Sequence, residues 1–129
     1  MSHKSGISEW RQAGPLIALM TGTSIVIGGP LNSGILAGRD AWNYALAPPE
    51  IVARVKAIRA VCDRHGVPLA AAALQFPLAH PAVAAIIPGP RSVAEFAANL
   101  ELLRHPIPAA LWPDLRRAGL LHPEAPTPT

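Results

Sequence analysis

Apolar residues recur three and four positions apart through PPEIVARVKAIRAVCDRHG. Ile51, Val52, Val55, Ile58, Val61 and Cys62 share one helical face, and Arg54, Lys56, Arg59 and Asp63 mostly fall away from it. Pro49 suits the first helical position and Glu50 the positive end of the helix dipole. Arg64 and His65 complement the other end, and Gly66 is a suitable stop. The next stretch, VPLAAAALQFPLAH, opens with Pro68 and has no polar stripe, which predicts a second helix buried on most sides with Pro77 distorting its last turn. Ser92 followed by Glu95 predicts a capping box at the start of a third helix, from Val93 to about Arg104, that buries Phe96, Leu100 and Leu103. Residues 107–121 predict a last helical segment, kinked or restarted at Pro113, and PLIALM (15–20) predicts the end of a helix stopped by Gly22.

Two short apolar runs behave differently. SIVI (24–27) and PAVAAII (81–87) are too short for helices and predict buried strands of a parallel sheet rather than half-exposed ones. The order is strand, glycine loop, helix, helix, strand, glycine loop, capped helix, helix. Such alternation predicts an α/β fold with parallel strands and crossover helices. Two strands close nothing, and a barrel of eight such units takes about 250 residues. The chain has room for part of one.

Composition narrows the class of protein. The chain has 129 residues, of which 50% are hydrophobic and 15% charged, which argues against wholesale disorder. Residues 122–129 predict a flexible tail with no packing potential. The net charge of +3 carries no basic cluster beyond Arg116 and Arg117, and aromatics make up only 5%. A nucleic-acid surface would need a basic face or interleaved aromatics, so an anionic small molecule suits this balance better. The single cysteine, Cys62, excludes an internal disulfide and a Cys-based zinc site, and on a helix it reads as a small buried apolar residue. The expected compartment is the cytoplasm, since MSHKSGISEWRQ lacks the apolar core of a signal peptide. Charge is absent between Arg11 and Arg39, and again from Gly66 to Pro90 apart from the titratable His80. A membrane-spanning helix needs about 20 apolar residues in a row. Gly-Thr-Ser and Gly-Gly-Pro interrupt the first run and four prolines the second, so short buried elements are expected instead of spans.

Ligands of parallel sheets sit at the carboxyl ends of the strands. Both predicted strands end there in glycine-bearing loops, GGPLNSG and PGPRS. Glycine lets backbone amides approach a ligand, and amides, a Ser hydroxyl and an Arg all donate to anions. Arg91 and Ser92 also stand at a helix amino end, where the dipole favours negative charge. The first loop has the outer spacing of a phosphate-binding P-loop, but Ile35 and Leu36 replace its Lys and Ser/Thr, and no G-x-G-x-x-G is present. On spacing alone each loop is more often a structural turn than a ligand site, and the two readings balance only when the loops are taken as a pair. His65, His80, His105 and His122 are scattered and form no metal-binding pair, and Tyr44, after the first loop with Asp40 and Trp42, reads as a surface or packing residue.

Four blocks, GGPLNSGILAG, HGVPLAAAALQFPLAHPAV, IIPGPRSVAEFAANL and IPAALWPDLRRAGLL, occur in the order found in aldo-keto reductases. Over roughly residues 15–121 the chain resembles the carboxyl-terminal part of that family, in the branch of sugar (aldose) and pyridoxal dehydrogenases. Residues 1–14 match nothing in it. The resemblance implies a portion of a (β/α)8 TIM barrel that transfers a hydride between NAD(P) and a carbonyl or alcohol. It implies that SIVI is the seventh barrel strand and AAII the eighth. Gly29, Pro30, Leu31, Ser33 and Gly34 would then hold the cofactor pyrophosphate, and Gly89, Arg91, Ser92, Glu95 and Asn99 would surround the adenosine end.

The departures are informative. Ala98 stands where the family commonly has Glu or Gln beside the Asn that contacts adenine, which weakens that contact. Glu95 stands where NADP-preferring members often carry Arg, and an acid there repels a 2′-phosphate, so NAD is favoured over NADP, with Arg91 as the opposing argument. The family's catalytic Asp, Tyr, Lys and His belong to earlier strands, and Tyr44 does not inherit the Tyr role. The resemblance therefore implies a cofactor-binding part that is catalytically incomplete alone, as a truncation, split gene or shifted frame would give. Exposed sheet edges would favour self-association, and a binding module that completes its barrel with another chain is the alternative.

Overall fold

The computed structural model describes residues 18–129. Residues 18–21 are helical and stop at Gly22, whose φ of 69° lets Thr23 N close back on Ala18 O at 2.9 Å. The rest of that predicted helix, and residues 1–14, lie outside the described residues.

Strand β1 (Ile25–Gly28) leads into a 3-10 segment, Asn32–Ala37, and a small hairpin of β2 (Ala41–Trp42) and β3 (Ala45–Leu46). Helix α1 (Pro49–Arg64) carries Pro at its first position, Glu50 in its first turn and Arg64 in its last, as the pattern predicts. Helix α2 (Leu69–Gln75) then tightens into a 3-10 turn, Phe76–Ala79, at Pro77. Strand β4 (Val83–Ile87), helix α3 (Val93–Arg104) and helix α4 (Leu111–Arg117) complete the described chain. Pro113 sits within the first turn of α4, where its missing N–H costs nothing, so α4 starts there without a kink.

β1 and β4 pair in parallel, with Ile27 opposite Ile86 and Gly28 opposite Ile87. Pairing of the two runs is thus as predicted, and the chain is a mixed α/β fold. Their burial is not. Val26 is 54% exposed and Ile87 57% exposed; β1 alternates between half-buried and exposed residues, and in β4 Ala84 and Ala85 are both exposed between half-buried neighbours. Val26, Ala85 and Ile87 lie on one side of this two-stranded sheet and are exposed, so that face meets solvent instead of a covering helix.

The core lies among the helices. Val61 and Cys62 of α1, Leu69, Ala71 and Ala72 of α2, and Leu111, Trp112 and Leu115 of α4 form one buried cluster with Val67. The Phe76 ring packs at 5.9 Å and 32° against Trp112. His65 Nε2 and Asp114 Oδ2, 2.6 Å apart, tie the end of α1 to α4. Gln75 Nε2 donates to Leu102 O and His105 O, both at 2.9 Å, and binds α2 to the end of α3. That attachment turns α3 so that Leu102 packs on the core, whereas Phe96, predicted to be buried, is 53% exposed, and Leu100 and Leu103 are half-buried. The end of the chain makes contacts of its own: Arg116 Nη2 donates to Ala125 O at 2.7 Å and Thr127 Oγ1 at 3.3 Å.

Cys62 is fully buried and free. Burial, with the Asp63 charge beside it, pushes the thiol above its ordinary pKa, partly offset by a backbone hydrogen bond. A folded-state pKa above the unfolded value means that the unfolded chain loses its proton first. Stability from this group is therefore complete below the unfolded value and falls as pH rises through the alkaline range towards the folded one. Urea midpoints should drop between pH 8 and pH 10, and Cys62→Ala should flatten that slope while lowering the midpoint at both. An equal drop in Cys62→Ala would mean that another group sets it.

Candidate functional site

Gly28 and Ile87 are partners at the carboxyl ends of β1 and β4, so the loops that follow emerge side by side. Gly29 N extends the pairing by donating to Ile87 O at 3.1 Å. Gly29 (φ 59°) and Gly89 (φ 65°) each turn the chain in the left-handed region, one residue and two residues beyond these partners. A Cβ on Gly28, Gly29 or Gly89 would meet nothing within 4 Å, so backbone at both strand ends faces open space. A ligand can approach peptide groups there as side-chain-bearing residues would not allow.

The first loop is internally tied. Asn32 N donates to Gly29 O at 2.9 Å, Gly34 N to Leu31 O at 3.0 Å, and Arg39 N to Gly34 O at 2.9 Å. Asn32 (φ 49°) and Ser33 (φ 61°) are left-handed, as are Asn43 (φ 48°) and Tyr44 (φ 64°) at the tip of the β2–β3 hairpin. Among the described residues these are the non-glycine positions with positive φ, and they meet in pairs. Asn32 Oδ1 accepts from Asn43 N at 3.3 Å, and Ser33 Oγ accepts from Tyr44 N at 2.9 Å. Strained backbone held by cross-links of this sort concentrates at functional loops. Ser33 Oγ already accepts one hydrogen bond, and its own proton is available for a ligand. Tyr44 is 97% exposed, in keeping with a surface position.

The second loop leads into α3. Ser92 caps the helix: its Oγ accepts from Glu95 N at 3.1 Å. The reciprocal half of the box goes one residue further back than usual, because Glu95 Oε2 accepts from Arg91 N at 2.7 Å. The other oxygen, Oε1, lies 3.7 Å from Arg91 Nη2 and 3.7 Å from Arg39 Nη2. One carboxylate thus joins the two loops through two guanidinium groups. All three side chains are 42% exposed or more, so each pair contributes about 0–1 kcal/mol in water. Their value is positional. Asn99 is half-buried one turn after Glu95 on the same helix.

The ten residues singled out from sequence therefore fall into two groups that the β1–β4 pairing and Glu95 bring together: Gly29, Pro30, Leu31, Ser33 and Gly34 in one, Gly89, Arg91, Ser92, Glu95 and Asn99 in the other. Sequence reasoning missed Asn32 and Arg39. The signal for Arg39 was its position as the first charge after a long uncharged stretch. Glu95 read in isolation is a bare acid; in the fold two arginines flank it.

Among the described residues the histidines are engaged separately. His65 pairs with Asp114, His80 Nδ1 accepts from Ala82 N, His105 Nε2 meets Gly66 O, and His122 Nδ1 accepts from Glu124 N. Among the described residues no three His, Cys, Asp or Glu come together, and no helix is long and apolar enough to cross a membrane.

The model of the aldo/keto reductase family matches residues 9–119, so residues 9–14, which the four sequence blocks left outside the resemblance, fall within the match. The chain is 44% identical over 109 residues to a pyridoxal 4-dehydrogenase of Microbacterium luteolum, covering 81% of this chain and 32% of that protein. It is 40% identical over 111 residues to a D-threo-aldose 1-dehydrogenase of a Pseudomonas species, covering 82% of this chain and 32% of that protein. The chain thus spans about a third of the length of the curated relatives that it matches. On the family match and both relatives, this chain belongs to the aldo/keto reductase family.

Proposed function

We propose that this chain is the dinucleotide-binding, carboxyl-terminal portion of an NAD(P)-dependent aldo-keto reductase barrel of the aldose dehydrogenase type. The observation that carries the reading is the pair of open glycine turns, Gly29 and Gly89, at adjacent strand ends, with Glu95 holding Arg39 and Arg91 across them. The amides of Gly29, Asn32 and Gly34 are paired within the chain, so the Ser33 hydroxyl and the remaining amides of the first loop face the pyrophosphate; Arg91, Ser92 and Asn99 face the adenosine side. When bound, the dinucleotide supplies or accepts the hydride. NAD is favoured over NADP because Glu95 already occupies both guanidiniums that a 2′-phosphate would need. The residues proposed here bind and orient, and none is assigned as the acid that protonates a carbonyl. The chain alone therefore binds the cofactor without oxidising a sugar. A cytoplasmic location and a small carbonyl or sugar substrate belong to the same reading.

Titration of the full chain with NADH, followed by nicotinamide fluorescence, tests it. Saturable binding is expected, tighter for NADH than NADPH, and Arg91→Ala should weaken it about tenfold, the effect of one charge-assisted hydrogen bond. No binding by the folded chain would overturn the reading; tighter binding of NADPH would overturn the NAD preference alone.

The exposed sheet face favours a second reading. Val26 and Ile87 are both more than half exposed, on register positions of the same side as Ala85. Apolar strands with a free face and free edges favour self-association or completion by another chain.

A further inference from the structure

The apolar stripe of α1 has one member out of place. Val52 is 48% exposed although it belongs to the face that buries Val61 and Cys62. It does not face bulk solvent alone. Val52, Val55, Lys56 and Arg59, spaced three, four and seven along α1, form one wall of a groove of about 280 Å³. The opposite wall is the end of the first loop: Ile35, Gly38, Arg39 and Asp40. None of the ten residues of the two glycine loops lines it.

The lining is apolar at Ile35, Val52 and Val55 and carries three cations and one carboxylate. Three positive charges against one negative leave a surplus of two. Arg39 reaches outward to Glu95, whereas Lys56 and Arg59 have no ion-pair partner among the described residues. Gly38, at φ 93°, holds a backbone conformation that side-chain-bearing residues rarely adopt, and a Cβ there would make no more than ordinary contact, 3.9 Å, with Arg59 Nη2. Two free cations beside an apolar lining match a ligand that is part dianion and part apolar body.

We propose that this groove is a second binding site, apart from the glycine loops, for an organic phosphate monoester with a flat apolar group. The apolar group lies on Ile35, Val52 and Val55, and the phosphate is held by Lys56 and Arg59 with Arg39 at the margin. Asp40 is the carboxylate among the lining residues, available to an N–H or O–H on the ligand. The site rests on α1 and the end of the first loop, and so stands whether or not the glycine loops hold a dinucleotide.

Phenyl phosphate is the probe, titrated into the full chain labelled with 15N. Saturable shifts are expected at the amides of Ile35, Val52, Val55, Lys56 and Arg59. Inorganic phosphate and phenol should each bind at least about tenfold more weakly, because each keeps half of the recognition. Lys56→Gln/Arg59→Gln should weaken phenyl phosphate at least about tenfold with the remaining spectrum unchanged. Excess NAD should not displace it. Shifts that do not saturate, that centre on Gly29 and Gly89, or that persist in the double variant would overturn the proposal and leave the groove a solvated rim of charge.

Discussion

Replacing Trp112 by Ala should abolish cooperative unfolding or move the urea midpoint further than any other single substitution considered for this chain. Trp112 is 3% exposed, and Leu111 beside it is fully buried. Its indole meets the Phe76 ring at the end of α2 and lies in the cluster shared by α1, α2 and α4. Truncation of a buried aromatic costs about 3–5 kcal/mol, through lost transfer energy and the cavity left behind. A domain of this size holds about 5–15 kcal/mol in total. This one leaves a sheet face in water, so its margin belongs at the lower end. Near-UV circular dichroism across a urea series gives the measurement. Phe96→Ala is the control: Phe96 is 53% exposed, and its loss should cost about 1 kcal/mol or less. If the two variants unfold at the same midpoint, the helical cluster is not what holds the chain together.

The second large effect is expected at Gly34, and its cause is local geometry. Gly34 has φ 99°, outside the range of side-chain-bearing residues, and an added Cβ would sit 2.6 Å from Arg39 Cδ and 3.1 Å from its Cβ and Cγ. Arg39 cannot simply retreat, because its N–H donates to Gly34 O and its guanidinium reaches Glu95. Gly34→Ala should therefore destabilise by about 2–3 kcal/mol, combining backbone strain with displacement of Arg39. Gly22→Ala provides the comparison: φ is 69°, but nothing lies within 4 Å, so strain alone should cost about 1–2 kcal/mol. Adding Arg39→Ala to Gly34→Ala should recover part of the loss. Equal midpoints for Gly34→Ala and Gly22→Ala, with no recovery in the double variant, would remove the Arg39 contact from the account.

Elements governed by local rules were legible in the sequence. Pro49, Glu50, Arg64 and the spacing of apolar residues place α1, and Ser92 with Glu95 places the start of α3. The β2–β3 hairpin was not legible. Its two-residue turn takes positive φ at Asn43 and Tyr44, and Tyr in the position where Gly usually marks such a turn hides the signal. Strand burial was misjudged for a different reason. Val26 and Ile87 have the composition of buried strand residues, but their exposure depends on whether another layer packs on that sheet face, which no local run encodes. Likewise Phe96, Leu100 and Leu103 have helical spacing, yet the two bonds from Gln75 decide which face of α3 turns inward. At the candidate site, the glycines and donors could be read residue by residue. The link through Arg39 could not, since it depends on the parallel pairing that brings the two loops together.

That link has a thermodynamic side. Glu95 Oε1 is equidistant, at 3.7 Å, from a nitrogen of Arg39 and a nitrogen of Arg91. Two cations from separate loops compete for one acceptor. An event that draws Arg39 away leaves the whole carboxylate to Arg91, and one that draws Arg91 away strengthens the hold on Arg39. By linkage the influence is equal in both directions. The two loops thus share one acceptor, and with pairs this exposed the influence of one on the other is bounded at about 0–1 kcal/mol.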